Sequence, residues 1–181
     1  MLVITGPSGV GKGTLIHGLL ERCEGIALAV SATTRPPRAG ELAGRDYHFL
    51  TAAEFERRAA DGEFVEHATY AGNRYGTLRS ELERPARGIV LEIDLQGARQ
   101  VRETLPRATR VFIAPPSLDH LRARLEGRGA DSAEQIARRL EVAPSELAAQ
   151  QEFSHVVVNE DLEAALAELV GLAARMCAPD D

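Results

Sequence analysis

Residues 6–14 read GPSGVGKGT, and no other stretch narrows the fold so far. Gly6 and the Gly11-Lys12 pair have the spacing G-x-x-x-x-G-K. The stretch follows a short buried-strand pattern, Leu2-Val3-Ile4-Thr5, and opens a helical pattern from Lys12 to Arg22. Strand, glycine-rich turn and helix in that order make a phosphate loop. The candidate contacts are Gly6, Pro7, Ser8, Gly9, Val10, Gly11, Lys12, Gly13 and Thr14. Main-chain N–H groups wrap phosphate oxygens there, and the helix N-terminus adds partial positive charge. Lys12 would reach the β- and γ-phosphates. The motif speaks for a nucleoside triphosphate and is silent about the reaction.

Composition singles out the same residue. Of 21 basic residues only Lys12 is lysine. A chain that uses Arg almost everywhere keeps one slim ammonium where a phosphate loop needs it. One position departs from the usual pattern. Ser or Thr normally follows the lysine and ligates Mg²⁺, but here Gly13 follows and Thr14 comes next. G-K-G-T also occurs in nucleoside monophosphate kinases such as adenylate kinases, where the metal relies more on water and nucleotides. Mg²⁺ is therefore expected to be held mainly by phosphates and water, with Thr14 a candidate protein ligand.

Beyond the loop, strand and helix patterns alternate. Ile26–Val30 is an apolar run; residues 31–45, with Pro36, Pro37, Gly40 and Gly44, read as loop. Tyr47–Leu50 reads as a strand, and Thr51 with Glu54 as a capping box opening a helix to Ala60. Glu63–Tyr70 and Arg74–Thr77 read as strands around Gly72-Asn73. Gly88–Asp94 has the pattern of a strand buried on both faces, followed by a helix to Thr104. Arg110–Ala114 is a further strand and Ser117 caps a helix to Glu126. After a break at 127–132 a helix resumes at Ala133, with Pro144 expected to kink it. His155–Val158 and Asp161–Met176 give a last strand and helix. Apolar residues make up 44% and aromatics only 4%, so an aliphatic core must fill the space between helices and a parallel sheet. The expected fold is α/β, a P-loop NTPase-type parallel sheet flanked by helices. A small mixed α/β subdomain is inserted at about 31–80 and a helical lid at about 124–140. The core then comprises 1–30, 81–123 and 141–181, all one domain.

A second set of residues has the chemistry of an anion site. Arg35 and Arg38 flank two prolines, and a stiff loop with paired guanidinium groups suits a second phosphate. Tyr47 and Tyr75 could add hydroxyl donors. Taken singly, these residues are read equally well as surface charges and core aromatics. Glu92 and Asp94 close an apolar strand at i, i+2 and so would share a face, at the end where ligands bind in open α/β sheets. Either could organise Mg²⁺ through water while the other touches the acceptor base.

Taken together, these segments resemble the guanylate kinase family. The matching blocks are GPSGVGKGT at 6–14, SATTRPPRAGE at 31–41, DYHF at 46–49 and FVEHATYAGNRYGT at 64–77. LEIDLQGA at 91–98, FIAPPS at 112–117, RLEGRG at 124–129 and VVNEDL at 157–162 continue them in order. The resemblance implies transfer of the γ-phosphate of ATP to GMP, and to dGMP, in purine nucleotide metabolism, with Mg²⁺ as cofactor. It makes Arg35, Arg38, Tyr47 and Tyr75 ligands of the GMP phosphate, and Ser31, Glu66 and Thr77 the guanine-reading groups. Guanine offers two donors, N1–H and the 2-amino group, to a carboxylate; adenine would leave Glu66 unpaired. The family's lid implies phosphate contacts from Arg124, Arg128 and Arg139, with Arg138 turned to solvent. Asn159 is implied as an adenine-side contact, although Asn after a strand is also plain turn chemistry.

Other function classes fit poorly. The net charge of −6 gives no basic face for nucleic acid. Cys23 and Cys177 form no C-x-x-C pair and read as idle thiols of a reducing compartment. No apolar run approaches a membrane span and no signal peptide opens the chain, so the cytoplasm is expected. His17, His48, His67, His120 and His155 have no metal-ligand spacing. A related kinase with another acceptor, or a non-catalytic module of the same fold that binds protein, is the alternative reading; intact Lys12 and lid arginines argue against the module. Oligomeric state is not legible.

Overall fold

A computed structural model describes residues 1–70, 72–127 and 132–177. At its centre lie β1 (Leu2–Thr5), β2 (Ile26–Leu28), β7 (Gly88–Glu92), β8 (Thr109–Ala114) and β9 (His155–Val158), in the order β2-β7-β1-β8-β9. Every pairing in this sheet is parallel. Parallel strands need crossover helices, and these cover both faces. Alternation along β1 shows the consequence. Leu2 and Ile4 pack with Leu15, Ile16 and Leu19 of α1 (Lys12–Arg22) and with Leu166 and Leu169 of α6 (Leu162–Cys177). Val3 points the other way, to Ala98 and Val101 of α3 (Leu95–Thr104). All three β1 side chains are fully buried. Each such burial contributes roughly 1.5–3 kcal/mol, so the strand that launches the phosphate loop is also an anchor of the core.

A second sheet has the order β4-β3-β6-β5, built from β3 (Ser31–Thr33), β4 (His48–Phe49), β5 (Phe64–Tyr70) and β6 (Asn73–Leu78). Helix α2 (Ala52–Ala60) covers it, and Phe55, fully buried, stacks on Phe64 with ring centroids 4.4 Å apart. The chain enters this sheet through Val30 and leaves it through a 3-10 turn at Arg79–Glu83. Glu81 ties the two crossings together: it accepts from Val30 N–H at 2.8 Å and pairs with His48 Nε2 at 2.8 Å. The remaining helices, α4 (Leu118–Gly127) and α5 (Ala133–Ala148), pack on each other beside the carboxyl ends of the core strands.

Several local expectations change. Residues 31–33 are a strand, not loop; three small residues without alternation carry no strand signal, and pairing with β4 and β6 supplies it. The apolar strand ends at Glu92, because Asp94 turns out of the sheet and caps α3 through Gly97 N–H at 2.7 Å. Thr51 caps α2 by accepting from Glu54 N–H, but the Glu54 carboxylate pairs with Arg58 at 3.0 Å instead of closing the box. Pro144 lies within α5.

Candidate active site

The phosphate loop leaves β1 and folds back before α1. Gly11, the N-cap, has φ 99°, a conformation that favours glycine, and offers no side chain to the helix end. A Cβ there would lie 2.5 Å from Asn159 Nδ2. The first turn of α1 therefore keeps its main-chain N–H groups for an anion rather than for a capping side chain. Lys12 Nζ lies over the loop, donating to the carbonyl oxygens of Gly6 at 2.7 Å and Pro7 at 3.1 Å.

The loop is clamped from behind. Arg124 donates to Val10 O at 3.0 Å and to Asn159 O at 2.7 Å, while Asn159 Nδ2 donates to Val10 O at 2.8 Å. Asn159 is buried, 5% exposed, and its amide is spent on the loop. Arg139, reaching from α5, donates to Ser8 Oγ. Arg138 turns away and pairs with Glu134 at 2.6 Å. Arg128 lies outside the described residues.

Two hollows flank the loop. One, about 430 Å³, is lined by Gly9, Gly11, Thr14, Arg124, Asn159 and Leu162 among others. The other, about 390 Å³, opens between the loop and the second sheet. Both fall in the ~300–1,000 Å³ range of small-molecule sites. Gly6, Ser8, Lys12 and Arg139 form one wall of the second hollow; Ser31, Tyr47, Glu66 and Tyr75 form the facing wall; Glu92 and Asp94 lie between.

Strand register assembles the facing wall. Ser31 pairs with Thr77, and Thr77 with Glu66, so the three stand in a row across β3, β6 and β5. A bulge between Phe64 and Glu66 shifts the register, and such bulges re-aim side chains. Glu66 is 4% exposed and accepts from Thr77 Oγ1 at 2.7 Å. Burial, with Asp94 nearby, pushes its carboxyl up to about 7 against the pull of the Thr77 hydrogen bonds. Burial also raises the Tyr47 hydroxyl, helped by Tyr75 and Glu92.

The arginine pair is arranged differently from the expectation. Arg35 Nη2 donates to both carboxylate oxygens of Glu41, at 2.8 and 3.0 Å, and the guanidinium lies over the Tyr47 ring at 5.3 Å. Arg38 is exposed, and its main-chain N–H also goes to Glu41, at 2.7 Å. Neither guanidinium lines the hollow; the two tyrosines do. Glu41 is the reason, since it sits in the same proline-stiffened loop and collects both donors. The Arg35 hydrogen bond holds its carboxyl below the usual range.

Glu41 and Glu146 were not legible as site residues. Glu41 stands three residues after Arg38, a hint of local charge pairing. Glu146 has no local signal: α5 alone brings it to the hollow, opposite Lys12 and the Ser8 N–H. Burial raises its carboxyl despite those two partners. Glu92 and Asp94 are two carboxylates beside the loop, and among the described residues no group of three or more acidic, Cys or His side chains converges as a metal site. That donor set fits Mg²⁺, which keeps several waters and takes one or two carboxylates plus substrate phosphates. Thr14 opens on the other hollow. Cys23 and Cys177 are both free thiols, and no described helix is long and apolar enough to cross a membrane.

Comparisons with known proteins agree with this geometry. The family model described as guanylate kinase matches residues 1–174. A guanylate kinase of Frankia casuarinae is 54% identical over 175 residues, covering 95% of each chain. One from Thermosynechococcus vestitus is 52% identical over 172 residues, 93% of this chain and 90% of its own. The crystal structure of guanylate kinase from Anaplasma phagocytophilum superposes with a TM-score of 0.75 at 33% identity, covering 99% of this chain and 87% of that one. A family match running from the first strand into the last helix leaves one assignment: this chain belongs to the guanylate kinase family.

Proposed function

We propose that the chain transfers the γ-phosphoryl group of ATP to the phosphate of GMP, and of dGMP, giving ADP and GDP or dGDP. The observation that carries this reading is the row Ser31–Thr77–Glu66, whose Ser31 and Glu66 line the hollow across from the phosphate loop while buried Thr77 holds Glu66 from behind. A carboxylate accepts from both guanine donors, N1–H and the 2-amino group. Adenine has an acceptor at N1 and would leave Glu66 desolvated without a partner, which costs about 1–3 kcal/mol or more.

In this reading the segment 31–80 is the acceptor subdomain, 124–140 the lid, and the remainder the core. ATP lies on the loop with its base toward Asn159 and Thr14, and its γ-phosphate toward Lys12. Asn159 acts first by holding Val10. Tyr47 and Tyr75 face the GMP phosphate; the Arg35 guanidinium, over Tyr47 and bonded to Glu41, and the exposed Arg38 guanidinium turn to the acceptor phosphate when it competes for them. A GMP phosphate oxygen forms a bond to the γ-phosphorus as the bond to the β–γ bridging oxygen breaks, and ADP departs with that electron pair. No general base is needed, because the acceptor is already an oxyanion. Negative charge spreads over the transferred group. Lys12 and Arg139, with Arg124 and Arg128 from the lid, meet it with positive charge preorganised by the loop. Mg²⁺ carried by ATP, held by phosphates, water and the Glu92/Asp94 pair, would supply charge neutralisation.

A panel of GMP, dGMP, AMP, CMP and UMP, followed by ADP release, tests this. GMP and dGMP are expected to be turned over far faster than the rest. Preference for AMP, or no GDP formed from ATP and GMP, would overturn it.

A further inference from the structure

Gly97 sits in the first turn of α3, where its N–H closes the Asp94 cap. Its backbone is helical and is absent from the positive-φ glycines, so nothing in the main chain calls for glycine. Inside a helix alanine is the more stable residue. Space is the remaining reason. A Cβ on Gly97 would lie 2.4 Å from Glu66 Oε2, 3.0 Å from Glu66 Cδ and 3.4 Å from Asp94 Oδ1.

Side-chain hydrogen bonds hold the two elements together. Gln100, one turn along α3, accepts from His67 N–H at 3.1 Å and donates to His67 O at 2.8 Å. That double bond fixes β5 against α3 one residue beyond Glu66. Thr77 holds the other carboxylate oxygen at 2.7 Å. A side chain at 97 therefore meets the Glu66 carboxylate first, and that carboxylate must shift to admit it. We infer that Gly97 is a specificity-determining position for the acceptor base, its missing side chain being the recess in which the Glu66 carboxylate is seated. The inference rests on Glu66 as the guanine-reading group. It places one requirement for guanine on a helix whose own residues do not line the hollow.

The test compares wild type, G97A, E66D, E66D/G97A and E66Q by steady-state kinetics with ATP and GMP, and by thermal melts. G97A is expected to raise the KM for GMP tenfold or more and to leave the KM for ATP within twofold. It should not show the higher Tm that helix propensity alone would give. In the E66D background the shorter side chain withdraws from the recess, so adding G97A should change the GMP KM less than twofold. A G97A enzyme with wild-type GMP KM and raised Tm would overturn the inference. If G97A does not fold, E66D/G97A decides: recovered folding supports the overlap, and failure of both refutes it. E66Q separates the levels. A weakened E66Q beside a silent G97A refutes Gly97 alone, whereas an E66Q with unchanged GMP KM removes the guanine reading and this inference with it.

Discussion

Replacing Glu66 with Gln should make the protein more stable and a worse enzyme at the same time. The side chain is 4% exposed, and its carboxyl is pushed from 4.5 to about 7 by burial and by Asp94. Such a shift corresponds to about 3 kcal/mol. The sign follows from proton binding. Between pH 4.5 and about 7 the folded state holds a proton that the unfolded chain has lost. The contribution of this group is therefore complete below the lower value and is lost as pH rises through the upper one. At pH 8 the wild type carries the whole penalty and E66Q carries none. The gain is bounded at about 3 kcal/mol, because the buried amide N–H₂ must find partners of its own. For a chain of this length, that bound corresponds to roughly 6–12 °C in Tm. Binding moves the other way. One charge-assisted hydrogen bond to guanine is lost, about 1.5–3 kcal/mol, which is a rise of about 10- to 100-fold in the KM for GMP. Melts without nucleotide or metal at pH 5 and pH 8, with initial rates against GMP at pH 8, measure both. The Tm advantage should shrink strongly at pH 5, where wild-type Glu66 is itself protonated. A lower Tm for E66Q at pH 8 together with an unchanged GMP KM would refute the reasoning.

Four further outcomes are expected. Lys12→Ala, which removes the donor to Gly6 O and Pro7 O, should lower kcat by orders of magnitude with the fold intact; near-normal turnover would remove its charge-stabilising role. Arg124→Ala should raise the KM for ATP more than that for GMP, since it loses the clamp on Val10 and Asn159; an effect confined to GMP would contradict that geometry. Glu41→Gln frees Arg35 from a carboxylate and breaks the bond that organises its loop. A changed GMP KM with an unchanged ATP KM is expected, and equal effects on both would show the loop to act elsewhere. Leu125→Ala, at a fully buried position behind the loop, should cost about 3–5 kcal/mol by denaturant titration, and a cost under about 1 would mean the site collapses around the cavity.

On the proposed reading, charge placement helps the two phosphate groups meet. Positive groups lie on the loop wall and over Tyr47, while Glu66 stands on the facing wall, Glu92 and Asp94 between, and Glu146 opposite Lys12. Those carboxylates would repel a second phosphate placed out of register. The resting arginines are bonded to protein oxygens, Arg124 to Val10 and Asn159, Arg139 to Ser8 and Arg35 to Glu41. On the proposed reading each waits with its charge partly satisfied, and a phosphate has only to outcompete that neighbour.

What the amino-acid sequence determined by itself was everything encoded locally. The loop at 6–14 is contiguous, so its nine residues carry the motif and its lysine, although Arg124 and Asn159 clamp it from elsewhere in the chain. The buried strand Leu2–Thr5, the helices and the alternation of β with α follow from periodicity within each segment, and with them the parallel α/β fold. Tertiary structure alone decided what depends on pairing. Ser31–Thr33 became a strand because β4 and β6 flank it, and the row Ser31–Thr77–Glu66 exists only in that register, sharpened by the bulge before Glu66. The approach of Glu146 to the loop and the recess at Gly97 are likewise long-range, whereas the Asp94 cap on Gly97 and the Arg35–Glu41 pair span only three and six residues. Periodicity reports which face of an element is buried; the element that buries it, and to what depth, is set only when the chain closes on itself.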